Sequence, residues 1–334
     1  MTHADQRLSV VIPLAGDQDD PRPCLQRLHA LAPRQVQLLV VAMGPAERHL
    51  SELAHWARET GLELELLNQP STDWGEAANL GLGQARAPVV LFWSAHLVPP
   101  PDMLARLAGH FGDSSVAAVG GSLQAEAEAP APARLAVLDF VFRSADPAGD
   151  LVPVLWSHCV AFDRRRLLQV GGLAPGEGRD GSPLPTPCAR LATLGLQLVF
   201  DPELRPRTSL PATWGRYLAG ELNLGRTLFL TRRQGTKDGR PELTSRGLMA
   251  QPLLALAAVA VLAIYLPSAP GHAVTLAAIA LLLLYPLNRP FLRLVINQEP
   301  ALTNKAIIIC LIRPFVWCAG MFSAALGRLG GAGA

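Results

Sequence analysis

Residues 73–104 read DWGEAANLGLGQARAPVVLFWSAHLVPPPDML, and this stretch decides the fold. It divides into a helix, a strand and an exposed loop. Gly75 and Asn79 open an Ala-rich helical run toward Arg86. Pro88 ends that run, because proline has no N–H to give a helix. Residues 89–93 (VVLFW) are continuously apolar, as a strand covered on both faces is. Ligands of open α/β sheets sit outside the carboxyl ends of strands, so Ser94, Ala95 and His96 are expected at a binding crevice.

Upstream, residues 8–13 (LSVVIP) and 36–41 are two further buried strands. Residues 24–31 carry Leu25, Leu28 and Leu31 on one face, and residues 47–60 carry Leu50, Leu53 and Trp56 on one face, as amphipathic helices do. Residues 62–67 alternate Leu and Glu, the pattern of a half-exposed strand. Downstream, strands are expected at 116–121, 156–162 and 195–200, and the Ala/Glu/Pro-rich residues 124–134 read as a linker. Strands alternating with helices across short loops imply an α/β, doubly wound, mostly parallel sheet.

Composition limits the function classes. Half of the 334 residues are hydrophobic and 17% are charged, with most of the charge in the first 246 positions. A net charge of +2, with no basic run interleaved with aromatics, argues against a nucleic-acid partner. The five cysteines lack metal-ligand spacing and suit reduced thiols facing the cytosol. The beginning, MTHADQRLSVV, lacks the long apolar core of a signal peptide.

On its motifs the chain resembles the family 2 glycosyltransferases of the GT-A fold. The matching residues are Val11, Ile12 and Pro13 at the end of the first strand, then Gly75, Ala77, Asn79 and Gly81, then the turn from Pro99 to Leu104. Later matches are Val170, Gly171, Gly172 and Leu173. The resemblance implies a nucleotide-binding half followed by an acceptor-binding half. It implies a donor site built from Pro13, Asp73, Gly75, Asn79, Ser94 and His96. It also implies a divalent metal, manganese or magnesium, bridging a diphosphate to carboxylates, with a carboxylate base taking the acceptor proton.

The chain departs from that pattern at three acidic positions. Ala42 and Met43 replace the carboxylates after the second strand, Ser94 and His96 those of D-x-D, and Pro183 and Leu184 those of the base motif. His96 is the only metal ligand left at its site, and it suits a softer metal than magnesium. Read by residue type alone, His96 is equally a polar group on an exposed loop. Asp180 is the candidate base, with Glu177 beside it in a Gly-rich loop; both also read as solvated loop carboxylates. Loss at all three positions suggests a catalytically silent member or altered chemistry.

The C-terminal part is apolar. Residues 213–233 form a basic amphipathic segment with Trp214 and Tyr217, suited to an anionic headgroup layer. Residues 248–266 are long enough to cross a bilayer, residues 267–271 turn without charge, and residues 272–287 return. Arginines flank the hairpin, which places the soluble part in the cytoplasm at the inner membrane. Residues 306–326 are apolar around Arg313 and Pro314, so an interfacial, a re-entrant and a third spanning helix all stay open. The division expected is thus a GT-A-like domain over 1–212, an interfacial segment over 213–247 and membrane helices over 248–334.

These readings converge on a membrane protein that transfers sugar from a nucleotide-diphosphate sugar to a lipid-linked or cell-envelope polysaccharide acceptor. The alternative is an inactive GT-A scaffold that partners an active glycosyltransferase.

Overall fold

The structure, a computed structural model, describes residues 7–15, 20–31, 35–44, 49–144, 151–178, 181–235 and 246–331. In chain order the first elements are β1 (Leu8–Ala15), α1 (Arg22–Leu31), β2 (Val36–Met43), α2 (Leu50–Thr60), β3 (Glu65–Gln69) and α3 (Trp74–Gln84). There follow β4 (Val89–Trp93), α4 (Met103–His110), β5 (Val116–Gly121), β6 (Gln124–Ala125) and α5 (Ala131–Ser144). Next come β7 (Cys159–Asp163), α6 (Arg164–Gln169), α7 (Pro185–Thr193), β8 (Gln197–Asp201) and β9 (Arg207–Thr208). The chain ends with α8 (Trp214–Gly235), α9 (Arg246–Tyr265), α10 (Pro270–Leu282), α11 (Leu284–Gln298) and α12 (Thr303–Gly331). Two compact units result. One holds the described residues within 1–129 and 143–210, the other those within 130–142, 211–237 and 242–334.

The first unit is built on a seven-stranded sheet in the order β3-β2-β1-β4-β7-β5-β8. Only β7 runs antiparallel to its neighbours, so the sheet is mostly parallel, as expected. Strands β1, β2 and β4 are buried along nearly their whole length, which explains their unbroken Val/Ile/Leu runs. At their amino ends a polar knot fixes the stacking. The Ser9 hydroxyl donates to Gln37 Oε1 at 2.6 Å, and the amide of Gln37 donates to Glu65 Oε1 at 2.9 Å. The backbone N–H groups of Arg86 and Ala87 donate to Gln37 Oε1 and to the Ser9 hydroxyl. Buried polar side chains that satisfy each other in this way set the register without the cost of an orphaned group.

Helix α3 closes on the sheet through a residue without a side chain. A Cβ at Gly81 would overlap the Val11 side chain. Asp73 caps the helix, its Oδ1 accepting from Glu76 N–H at 3.0 Å.

Residues 124–134 differ from the linker expected. Gln124 and Ala125 pair with Arg207 and Thr208 in a two-stranded ribbon, and α5 begins at Ala131. The Ala/Glu/Pro composition misleads because Pro130 stands just ahead of a helix, where its missing N–H costs nothing.

The second unit is helical. Leu135 and Leu138 of α5 join Tyr217, Phe291, Leu292, Val295, Ala306 and Ile309 in one buried cluster. Residues 270–298 and 300–326 are long and apolar enough to cross a membrane, and residues 250–265 form a shorter apolar helix. The return leg therefore extends past the 272–287 expected, and the third apolar stretch is one helix running through Pro314. Arg313, at 2% exposure, does not snorkel: it donates to Asp139 Oδ1 at 2.7 Å.

Removing one partner of that pair leaves a buried charge uncompensated, at a cost of about 3–5 kcal/mol. Asp139→Ala is accordingly expected to lower the unfolding midpoint of the detergent-solubilised protein sharply, and Asp139→Leu with Arg313→Leu to restore most of it. Equal loss in the single and double variants would show that the pair is not the source.

Candidate active site

The site lies where β4 and β7 meet. Their antiparallel register sets Trp93 opposite Cys159. The pairing continues one step, with Ser94 N–H donating to the His158 carbonyl at 3.1 Å. A tight turn follows, Leu97 N–H donating to the Ser94 carbonyl at 3.0 Å. These two constraints bring the His96 and His158 rings edge to face, with centroids 6.1 Å apart.

Neither imidazole stands on an open loop. Both are only part-exposed and closely surrounded by protein. Burial lowers the His96 pKa to about 4. Burial, with a smaller contribution from His96, lowers that of His158 to about 3. Both rings are neutral at pH 7, so each offers one N–H donor and one acceptor.

Residues 171–178 and 181–183 cover the site, and residues expected to bind donor hold them down. Asn79 Nδ2 donates to the Leu173 carbonyl at 2.9 Å, and Asn79 Oδ1 accepts from Leu173 N–H at 2.9 Å. Asp73 Oδ2 accepts from Gly176 N–H at 2.6 Å. Gly75 lies against the Ala174 carbonyl, with no space for a Cβ. Two glycines let the loop lie flat on rings. Gly178 (φ +85°) covers Trp74, and Gly181 (φ +72°) covers His158. Any side chain at either would be strained and would collide with the ring beneath.

Glu177 is not a solvated loop carboxylate. It is 6% exposed, and its Oε1 accepts from Thr186 N–H at 3.1 Å and from the Thr186 hydroxyl. It thereby caps the start of α7, where a negative charge is favoured. Leu184, in one of the expected acidic slots, is fully buried at the N-cap of that helix. Asp180 falls outside the described residues. Pro13 lies within β1 opposite Val41. Near the exit of β1, a cavity of about 150 Å³ is lined by Leu14, Asp20, Pro21, Arg22, His49, Glu52 and Leu53; His96 is not part of it.

Among the described residues no three His, Cys, Asp or Glu side chains are grouped to hold a metal ion. Among the described residues the strand exit offers Ser94 and two imidazoles but no carboxylate. That donor set does not fit a hard divalent cation, which takes oxygen ligands. His158, and the Ser157 and Ser182 side chains that fix the loop at Gly178, were not foreseen. The signal was the β4–β7 pairing itself, which joins segments far apart in the chain.

The family model described as Glycosyl transferase family 2 matches residues 9–170. Those residues are a family 2 glycosyltransferase domain. A mannosyltransferase from Pyrobaculum calidifontis, solved with GDP-Man and Mn2+, superposes at a TM-score of 0.62 and 19% identity, over 96% of this chain and 87% of that one. At that identity the likeness establishes a shared GT-A fold. GalNAc-T7, solved with UDP, GalNAc and Mn2+, gives a TM-score of 0.46 and 14% identity, over 67% of this chain and 47% of that one. No curated protein matches the chain.

Two outcomes test the architecture of the glycosyltransferase domain. Replacing Asn79 with Ala removes both hydrogen bonds to Leu173, each worth about 1 kcal/mol, and is expected to speed proteolysis within 171–183. Acid sensitivity tests the histidines. Their folded pKa values lie below the unfolded value near 6.5, so the unfolded state binds more protons between the two. Stability is full above about pH 6.5 and falls as pH drops toward 4 and then 3. Melting curves of the wild type are expected to lose more between pH 7 and 4 than those of His96→Asn/His158→Asn. Parallel curves would contradict it.

Proposed function

We propose that the protein is a membrane-anchored glycosyltransferase that takes a nucleotide-diphosphate sugar at the exit of β4 and passes the sugar to a lipid-linked or cell-envelope polysaccharide acceptor. The observation that carries this reading is the position of His96 and His158. They lie at a strand exit under a tethered loop, in a family 2 domain whose chain continues into apolar helices. Open α/β sheets take their ligands at such exits. The GDP-Man named for the Pyrobaculum calidifontis structure agrees with a nucleotide-linked donor.

In the reaction, the acceptor hydroxyl attacks the anomeric carbon as its bond to the diphosphate oxygen breaks. The nucleoside diphosphate leaves, the anomeric centre inverts, and the hydroxyl proton passes to a base. Asp180 is the residue we assign to that role, with Asp73, Gly75, Asn79 and Pro13 shaping the donor side. His96 and His158 supply hydrogen bonds to the phosphate oxygens, not charge, since both are neutral. The glycosyltransferase domain faces the cytoplasm at the inner membrane, as the arginines flanking the hairpin favour.

A second reading has its own observation. The expected acidic slots hold proline and a buried leucine, and Glu177 is committed to capping α7. That inventory favours a non-catalytic scaffold partnering an active glycosyltransferase.

Titration calorimetry with UDP, GDP and their sugars, with and without Mn2+, separates the two. The transferase reading expects one nucleotide sugar to bind equally with or without the metal. His96→Ala should weaken it roughly fivefold, for a hydrogen bond of about 1 kcal/mol. Absence of binding under every condition leaves the scaffold. Mn2+-dependent binding would show that ligands outside the described residues complete a metal site.

A further inference from the structure

Helix α12 contains one of the two stretches that, among the described residues, pass for a membrane span by length and composition. Its neighbours within the helical unit argue against a crossing. Polar contacts recur down one flank over residues 313–323. Arg313 donates to Asp139 of α5 and, at 2.5 Å, to Asn288 Oδ1 of α11. Trp317 Nε1 donates to Glu221 Oε2 of α8 at 2.7 Å. Further on, Arg226 of α8, which is solvent-exposed, donates through Nε to the Ser323 hydroxyl at 2.8 Å. Lys305, also exposed, stands near the start of α12.

Lys305 and Ser323 are about five turns apart, roughly 27 Å along the axis, close to the whole hydrocarbon thickness of about 30 Å. Helix α8 accompanies α12 closely over the second half of that distance. Gly225 and Gly320 bring the two backbones together, each leaving no room for a Cβ. If α12 crossed, α8 would be drawn into the lipid beside it, with exposed Arg226 and with the Glu221 carboxylate. Charged groups at that depth are costly.

The opposite flank of α12 is different. Ile308, Leu311, Ile312, Phe315, Phe322 and Leu326 are all exposed and recur at helical spacing as one stripe. Charge on one side and an unbroken apolar stripe on the other is the pattern of a helix lying in an interface.

We infer that α12 lies in the plane of the membrane surface, with this stripe sunk to the boundary between headgroups and acyl chains and α8 on the watery side. Among the described residues, only the α9–α10 hairpin and the start of α11 then reach deeper. Lys305, Arg216 and Arg226 meet anionic headgroups, and the partner of the stripe is the bilayer itself. The inference rests on the membrane reading above.

The test uses nitroxides on the full chain in vesicles of phosphatidylethanolamine and phosphatidylglycerol. Single labels go on Ile308→Cys, Phe315→Cys and Phe322→Cys in a Cys318→Ser background, and depth is read from relaxation by oxygen against a water-soluble nickel chelate. All three positions are exposed, so labelling leaves the core intact. The expected result is one shared depth, about 5–10 Å below the headgroups. A crossing helix would set Phe315 about 10 Å deeper than at least one of its neighbours, because seven residues rise by about that much. That result would overturn the in-plane placement and leave the membrane reading standing. Labels that all relax as in water would overturn both.

Discussion

The antiparallel strand β7, set between β4 and β5 in an otherwise parallel sheet, is the constraint on which the rest of the glycosyltransferase domain depends. A parallel strand in that place would deliver its first residue to the opposite edge. Running backwards, β7 begins where β4 ends, so His158 arrives beside His96 and the segment after α6 must return across the same edge. The glycines at 178 and 181, the two-point grip of Asn79 on Leu173 and the buried cap from Glu177 all follow from that return.

The two units enclose polar groups differently. At the strand exit the two imidazoles are neutral, and hydrogen bonds, those to Asp73 and Glu177 among them, hold the loop. In the helical unit, by contrast, an arginine, a tryptophan and two carboxylates are buried among leucines and phenylalanines. The Arg313 guanidinium also lies over the rings of Phe291 and Trp317, at 5.5 and 5.1 Å from their centroids. Such stacking lets a planar cation be enclosed where an ammonium group would not be. The consequence is an apolar bundle with a specified register, where packing alone would tolerate sliding.

Much of the sheet was legible in the sequence because buried parallel strands have no choice of residue. The runs at 8–13, 36–41, 89–93 and 116–121 are apolar apart from Ser9 and Gln37, and each is a strand. The placement of Ser94 and His96 followed from strand direction. The partners were not legible. Nothing local in WSHCVAF says that His158 faces His96, since the antiparallel pairing is a property of topology. Likewise Asp139 looks like an interruption in an apolar run until Arg313 is placed against it. Residues 124–134 misled because ribbon and helix start share the composition of a linker. The roles of Asp73 and Asn79 are legible only in part: the helix cap is written in the local spacing, the grip on a loop almost a hundred residues later is not.

The full burial of Leu184 constrains how this domain can change over evolutionary time. Leu184, which the resemblance would place in an acidic slot, lies in the core at the head of α7, while Glu177 satisfies the helix end from the neighbouring loop. An acid placed at 184 would put a second anion into an enclosed, already capped position and would be penalised by folding before any chemistry was gained. Gaining a carboxylate there therefore takes at least two coupled changes, one at 184 and one in the packing around it.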